Sequence, residues 1–251
     1  GKTAAYLLTI LQHLLEHPGH DDPKKDPIHA LIISPTRELA IQIYNDACLL
    51  NKYTDFRIGL VYGGVDYDKQ RKMLQDGIDI LIGTPGRLID YYKQKIFSLA
   101  KLQIVVLDEA DRMFDLGFIR DVRYMFRRMP KPEERQSMLF SATLSWRVTE
   151  LAYEHINNPV LIRINPEQIT AQNITQIGYH VSSDEKVALL IGLLRRIDPK
   201  RTIVFVNTKR TAEQIWGYLE GNGYHSAILS SDVPQTKRQK LFQEFSSGNL
   251  P

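Results

Sequence analysis

Apolar runs and amphipathic stretches alternate along the first two thirds of the chain. Five short runs are apolar almost throughout, which is typical of strands buried on both faces of a parallel sheet. They cover residues 30–33, 57–62, 78–82, 104–107 and 138–140. Between these runs, apolar positions recur at helical spacing, first from Tyr6 to Leu15. Strands that alternate with helices predict an α/β fold with a parallel sheet.

A further apolar run at 160–164 closes the first predicted domain, residues 1–165. Residues 166–175 follow without a sustained period, and we expect them to form a linker. The alternation then resumes, with predicted strands at 177–181, 202–206 and 226–229 and with helices between and after them. Residues 176–251 are therefore predicted to be a second α/β domain, which the pattern leaves incomplete.

Three carboxylates, Asp108, Glu109 and Asp111, follow the run at 104–107. Ligands bind at the carboxyl ends of strands in open α/β sheets, so these acids are available to a metal-bound phosphate. Asp108 would hold Mg²⁺, directly or through water, and Glu109 would orient or deprotonate the water that attacks a γ-phosphate. This arrangement is typical of a Walker B site. The alternative is a surface turn whose acids cap the next helix, and these residues alone leave both interpretations open.

Gly1, Lys2 and Thr3 stand at the start of the first predicted helix. Free backbone amides and the positive end of the helix dipole make such a position a phosphate site. Lys2 would reach the β and γ phosphates, and the Thr3 hydroxyl would ligate Mg²⁺, as in the second half of a P-loop. The tripeptide alone is also an ordinary helix start, but the Walker B candidate that follows on a later strand favours the P-loop. Residues 18–27, between two prolines, are predicted to be a solvated loop.

The ends of three other predicted strands have residues that suit a nucleic-acid backbone. Hydroxyls, arginine side chains and amides at a helix start bind phosphate, and glycine permits close approach of a sugar-phosphate chain. A structural role as a helix cap, a tight turn or an internal ion pair is also open for each residue. The candidates are Pro35, Thr36 and Arg37 after the run at 30–33, Gly64 after 57–62, and Thr84 and Arg87 after 78–82.

Ser141 and Thr143 follow the run at 138–140. If that strand lies beside the acidic strand, their hydroxyls can hydrogen-bond the acids and relay the state of the γ-phosphate. Three small residues at a strand end are also common without any such role.

Composition changes this picture only slightly. The chain is 43% apolar and 24% charged, which is ordinary for a globular protein. A formal net charge of +3 is weak, so nucleic-acid binding would depend on local basic clusters. The single cysteine, Cys48, cannot form an internal disulfide, which suits a reducing compartment. No apolar run has the length of a membrane span and no leader pattern begins the chain, so we expect a cytoplasmic location.

Taken together, these motifs resemble those of the DEAD-box RNA helicases, superfamily 2 enzymes with two RecA-like domains. The likeness covers essentially the whole chain, and the motifs stand in the order that the family has. They are residues 1–3, 35–40, 63–64, 84–87, 108–111 and 141–143, with Phe205 and Thr208 in the second domain. The resemblance implies a parallel-sheet RecA-like (P-loop) domain followed by a second, truncated RecA-like domain.

The resemblance also implies an ATP-dependent RNA helicase that binds RNA through its backbone and separates strands locally. ATP and Mg²⁺ would be bound by Gly1, Lys2, Thr3, Asp108 and Glu109, of which Lys2, Asp108 and Glu109 would be catalytic. Ser141 and Thr143 would couple the state of ATP to RNA through Asp111. RNA contacts would come from Pro35, Thr36, Arg37, Gly64, Thr84 and Arg87, and from Thr208, Gln235 and Arg238 in the second domain.

Bacterial RNA turnover, with an endoribonuclease of the RNA degradosome as a partner, is a further implication of the resemblance. Two other functions stay open, a non-catalytic clamp that binds RNA without turnover and a DNA helicase of the same superfamily. The chain begins within the phosphate-loop motif and ends before the family's last motifs, so we expect this stretch by itself to be catalytically inactive.

Overall fold

The computed structural model describes residues 1–17, 28–164 and 174–250. The chain divides into two units, Gly1–Ile162 and Arg163–Pro251. The predicted loop at 18–27 and residues 166–173 of the predicted linker lie outside the described residues.

Parallel strands form the sheet of the first unit, as the sequence predicts. The strands are β1 Ala30–Ile33, β2 Ile58–Val61, β3 Ile80–Gly83, β4 Ile104–Leu107 and β5 Gln136–Leu139. Their order across the sheet is β2-β3-β1-β4-β5, and every neighbouring pair is parallel. Each strand lies within two residues of its predicted position, so the α/β parallel-sheet prediction is confirmed here.

The register of the sheet aligns the carboxyl ends of its strands. Ile33 at the end of β1 pairs with Gly83 of β3 on one side and with Leu107 of β4 on the other. Gly83 also pairs with Val61 of β2, and Leu107 pairs with Leu139 of β5. Residues that follow the five strands therefore gather at one edge of the sheet, which is where open α/β sheets bind ligands.

Helices cover both faces of this sheet. They are α1 Lys2–Glu16, α2 Arg37–Leu50, α3 Tyr67–Gln75, α4 Pro85–Lys93, α5 Ala110–Asp115, α6 Ile119–Phe126 and α7 Trp146–His155. Ile32 and Val106 pack on one face with apolar residues of α1 and α2. Leu31 and Val105 pack on the other face with residues of α3 to α7. The three central strands, β1, β3 and β4, are buried at every position and do not alternate, because both faces of the sheet are covered there. None of the helices in the described residues is long and apolar enough to cross a membrane.

The second unit contains three helices within residues 174–250, α8 Lys186–Ile197, α9 Lys209–Gly221 and α10 Gln235–Ser247. The predicted strands at 177–181, 202–206 and 226–229 are not formed, so these predictions are wrong. A strand requires a neighbour that accepts its backbone hydrogen bonds and a layer that buries its side chains. The small apolar cluster of this unit joins α8 to α9, and it leaves Ile203 and Phe205 exposed.

Candidate functional site

The Asp108 carboxylate is buried at the carboxyl end of β4, where its surroundings fix its orientation. Its backbone N–H donates to Ile33 O in the neighbouring strand at 3.0 Å. Its Oδ1 accepts a hydrogen bond from Glu109 N–H at 2.9 Å, and its Oδ2 accepts one from the Tyr6 hydroxyl at 2.9 Å. Only 5% of the residue is exposed to solvent. The first predicted metal ligand is therefore held in one orientation by donors to both oxygens.

Tyr6 contacts this site. The sequence pattern did not predict that contact, because it indicates the residue only as a core position of α1. The side chain is fully buried, and its ring lies 5.2 Å from the Phe140 ring. Burial and the nearby negative charge of Asp108 raise the pKa of Tyr6, so the hydroxyl stays protonated and is a donor. The available signal was a hydroxyl among aliphatic core positions, one helical turn after Thr3.

Glu109 has a left-handed backbone conformation, with φ 47° and ψ 55°. For a residue other than glycine, asparagine or aspartate this conformation costs about 1–2 kcal/mol, and such strain is concentrated at functional sites. Glu109 is the N-cap residue of α5, yet its side chain makes no capping hydrogen bond. The geometry thus argues against the alternative that Glu109 serves only to cap the next helix, and leaves its carboxylate available for chemistry.

Asp111 connects the acidic strand end to the residues that follow β5. Its Oδ2 accepts hydrogen bonds from Thr143 N–H at 2.9 Å and from the Thr143 hydroxyl at 2.8 Å. Its own N–H donates to Ser141 Oγ at 3.3 Å. Burial raises the pKa of Asp111, but the hydrogen bonds from Thr143 and Ser141 outweigh it and hold this pKa below its ordinary value. The three residues that the family resemblance pairs therefore form one hydrogen-bonded group.

Lys2 and Thr3, at the start of α1, reach the same edge of the sheet. Lys2 Nζ donates to Ser141 O at 2.9 Å, across 139 residues of sequence. Gly1 is the N-cap residue of this helix and has no side chain to block its amides. Thr3 lies on α1 one helical turn before Tyr6, whose hydroxyl contacts Asp108. The structure thus brings together the two sequence motifs that were predicted to bind a nucleotide.

The oxygen atoms at this edge of the sheet suit Mg²⁺, and they suit less well a metal that is held by protein side chains alone. Among residues 1–17, 28–164 and 174–250, no cluster of three or more His, Cys, Asp or Glu side chains is placed to hold a metal ion. Mg²⁺ prefers oxygen and is usually bound through one or two protein groups together with phosphate oxygens and water. The Thr3 hydroxyl and the Asp108 carboxylate are such a pair, so these residues fit a magnesium ion that arrives with a nucleotide.

The ends of β1 and β2 lie close together although they are distant in sequence. Thr36 is the N-cap residue of α2, and its hydroxyl accepts from Leu39 N–H at 3.3 Å. The Arg37 guanidinium lies against Gly63, where a Cβ atom would be 3.4 Å from Nη2. Gly64 has φ +86°, a conformation that favours glycine. The start of α2 and Gly63 thus lie side by side, whereas Pro35, which precedes the N-cap residue, is buried.

The end of β3 places Arg87 at the same edge of the sheet, together with Thr84, which is buried and only 9% exposed. Thr84 is the N-cap residue of α4, and its side chain makes no capping hydrogen bond. The Arg87 guanidinium carbon lies 4.7 Å from the centre of the Tyr67 ring and 5.5 Å from that of Tyr91, whose hydroxyl accepts from Arg87 Nη1 at 3.2 Å. Within the described residues, Arg87 forms no ion pair with a carboxylate. Its positive charge is therefore held in place by aromatic rings and is not neutralised by an acid.

The order of the strands separates the two groups of candidate residues. The ends of β2, β3 and β1 present the nucleic-acid candidates, and the ends of β4 and β5 present the acids and hydroxyls. β1 lies between the two groups and pairs with both β3 and β4. A ligand bound at either half of this edge is therefore close to residues of the other half.

The remaining candidates belong to the second unit. Thr208 is the N-cap residue of α9, and its hydroxyl accepts from Thr211 N–H at 3.1 Å. Gln235 and Arg238 lie in the first turn of α10. The side chain of Gln235 is outside the described part of the structure. Thr208 and Arg238 thus stand at helix starts, where phosphate binding is favourable.

Comparison with known proteins adds independent information. The family model for DEAD/DEAH box helicases matches residues 1–151, and the model for the helicase conserved C-terminal domain matches residues 185–251. Over its whole length the chain is 53% identical to the ATP-dependent RNA helicase RhlB of Pseudoalteromonas atlantica and also 53% identical to that of Vibrio campbellii. It spans 59% of the first relative's length and 57% of the second.

Solved structures show the same fold. The Dbp5 protein of S. cerevisiae, bound to RNA and ADP BeF3, superposes with a TM-score of 0.81 at 28% identity. Its L327V variant bound to Gle1 H337R and IP6 superposes with a TM-score of 0.70 at 29% identity. The match covers all of this chain and 61% of the first structure or 60% of the second. The parallel-sheet fold predicted from the sequence is thus confirmed.

Proposed function

This chain belongs to the DEAD/DEAH box helicase family, and we propose that its activity is that of an ATP-dependent RNA helicase. The observation that supports this most directly is the meeting of Lys2, Asp108 and Asp111 with the β5 strand end at one edge of the sheet. The named relatives are ATP-dependent RNA helicases, and Dbp5 is solved with RNA and a nucleotide bound. The parent protein therefore hydrolyses ATP and binds RNA at adjacent parts of this edge.

With ATP bound, Lys2 would pair with the β and γ phosphates, and Thr3 and Asp108 would hold Mg²⁺. The ion, when bound with ATP, neutralises charge that develops on the phosphates. Glu109 accepts a proton from the attacking water, which is the role of a general base. Its side chain makes no capping hydrogen bond to α5. These assignments are supported by the geometry of the first unit alone.

RNA binding in this proposal depends on the ends of β1, β2 and β3. Thr36, Gly64, Thr84 and Arg87 lie there with Pro35 and Arg37, and Thr208, Gln235 and Arg238 contribute from the second unit. Hydroxyls, amides and guanidinium groups bind phosphates and 2′-hydroxyls without reading base edges. The protein therefore binds RNA with little sequence preference. Asp111, Ser141 and Thr143 transmit the state of ATP to this surface.

The other elements of the proposal concern organisation and cellular context. Residues 1–165 are the ATP-binding domain, 166–175 the linker and 176–251 part of the C-terminal helicase domain. The protein acts in RNA turnover in the bacterial cytoplasm, with an endoribonuclease of the RNA degradosome as its partner. Support comes from the bacterial relatives named RhlB, and a pull-down with the full-length protein as bait tests the partner.

The direct test of the enzyme is Glu109→Gln in the full-length protein. We expect the variant to bind a fluorescent ATP analogue with unchanged affinity while RNA-stimulated hydrolysis falls by about 10² to 10⁴, because the general base is lost and the metal ligand Asp108 is kept. Glu134→Gln, which changes an exposed glutamate of the same unit in the same way, is the control and should retain activity.

Each alternative predicts a different result. Near-normal hydrolysis by Glu109→Gln would refute the role of this residue. A wild-type protein that binds RNA but hydrolyses no ATP would be a clamp. Equal stimulation of hydrolysis by single-stranded DNA and RNA would indicate a helicase that does not discriminate between the two.

A further inference from the structure

One buried hydroxyl of the first unit points at the predicted metal site without being needed for packing. The Tyr6 ring lies in the same apolar cluster as Ile10 and Val106, where phenylalanine would fill the same volume. Its hydroxyl instead donates to Asp108 Oδ2 at 2.9 Å, although the two residues are 102 positions apart in sequence. A buried tyrosine hydroxyl requires a partner, and here the partner is the carboxylate predicted to hold Mg²⁺.

We propose that Tyr6 is a positioning residue for the magnesium site. It orients the Asp108 carboxylate toward the ion. This inference rests on the proposed function, because it takes Mg²⁺-ATP as the ligand. Tyr6 is a residue of α1 that is buried in the core and that also hydrogen-bonds a side chain of the site.

The Asp108 carboxylate has more acceptor sites than its protein donors occupy. An ionised carboxylate has about four lone-pair sites. Glu109 N–H occupies one on Oδ1, and the Tyr6 hydroxyl occupies one on Oδ2. The remaining sites are available to the metal or its bound water. Because Mg²⁺ requires nearly ideal octahedral geometry, a carboxylate held at both oxygens avoids the cost of ordering it when the ion binds.

The test compares Tyr6→Phe with Tyr44→Phe in the full-length protein. Tyr44 packs against the same apolar cluster, but its hydroxyl interacts with Cys48 and not with the site. The affinity for a fluorescent ATP analogue is measured with Mg²⁺ and with EDTA. We expect the gain in affinity that Mg²⁺ provides to fall about tenfold in Tyr6→Phe, because a hydrogen bond to a charged group is lost. Binding in EDTA, and both measurements for Tyr44→Phe, should be unchanged.

A second measurement needs no nucleotide. If Tyr6 holds the carboxylate, Tyr6→Phe should also accelerate amide hydrogen exchange at Glu109, whose N–H donates to Asp108.

An unchanged Mg²⁺ gain in Tyr6→Phe, or an equal loss of affinity with Mg²⁺ and with EDTA, would refute the positioning role. A wild-type protein that binds the analogue equally well with Mg²⁺ and EDTA would instead refute the Mg²⁺-ATP site of the proposed function, and this inference with it.

Discussion

Gly83→Ala is the substitution whose cost the structure defines most clearly. Gly83 is the last residue of β3, and a Cβ atom there would lie 2.7 Å from Val61 Cγ2, 2.8 Å from Val61 O and 2.9 Å from Leu88 Cδ2. Val61 and Leu88 are fully buried, so neither side chain has room to move. Val61 O also accepts a hydrogen bond from Thr84 N–H at 3.1 Å, so a shift of this carbonyl disturbs the strand end that includes Thr84.

The magnitude follows from two opposing effects. Overpacking of a well-filled core costs about 1–3 kcal/mol, and this site adds a clash with backbone that cannot rotate away. Replacing glycine also reduces the entropy of the unfolded chain and returns about 0.4–1 kcal/mol. We therefore expect the free energy of unfolding to fall by about 1–2 kcal/mol. With a urea m-value of about 2 kcal/mol/M, in the middle of the usual range, the midpoint should fall by roughly 0.5–1 M.

The assay is urea unfolding followed by circular dichroism, with Gly86→Ala as the matched control. Gly86 is in the first turn of α4, and a Cβ there would meet nothing within 4 Å. Both variants replace glycine by alanine, at positions three residues apart, and so change the unfolded chain in the same way. The difference between their urea midpoints therefore isolates packing in the folded state. Gly86→Ala should be neutral or more stable by up to about 1 kcal/mol. Equal midpoints for Gly83→Ala and wild type would refute the reasoning.

Three further predictions concern RNA, coupling and pH. Arg87→Ala should weaken single-stranded RNA binding about equally for different sequences and reduce the salt slope by about 1, whereas a sequence-selective loss would contradict a phosphate contact. Thr143→Val should abolish RNA stimulation of ATP hydrolysis with ATP affinity preserved, and unchanged stimulation would refute the coupling role. Burial raises the pKa of Asp79, but Arg57 outweighs it and the pKa is lowered, so this carboxylate stabilises the fold above its unfolded pKa. Asp79→Asn should therefore have a lower urea midpoint than wild type at pH 7, and the difference should begin to shrink below about pH 4 and be lost as the pH falls through the lowered pKa of Asp79.

The hydrophobic pattern predicted the strands of the first unit because the apolar residues of each strand by themselves indicate that the strand is buried. A run such as Ile104–Leu107 is apolar at every position, and only a strand covered on both faces requires this. The same reasoning failed at 202–206, where β-branched residues stand in the chain but the structure contains no strand. Propensity describes what a segment favours, whereas a strand also needs a partner of matching register. That partner is a property of the tertiary structure.

By itself, the sequence determined which residues have the chemistry of the site. A carboxylate pair after an apolar run, and Gly-Lys-Thr at a helix start, identify Asp108, Glu109, Lys2 and Thr3 without any coordinates, because these residues and their spacing recur in phosphate sites. Only the tertiary structure decided which of them meet. The strand order β2-β3-β1-β4-β5 differs from the order in the chain, and it brings Lys2 to Ser141 and Tyr6 to Asp108. Hydrogen bonds between residues more than a hundred positions apart depend on how strands pair and helices pack, and no local pattern of side chains encodes that pairing.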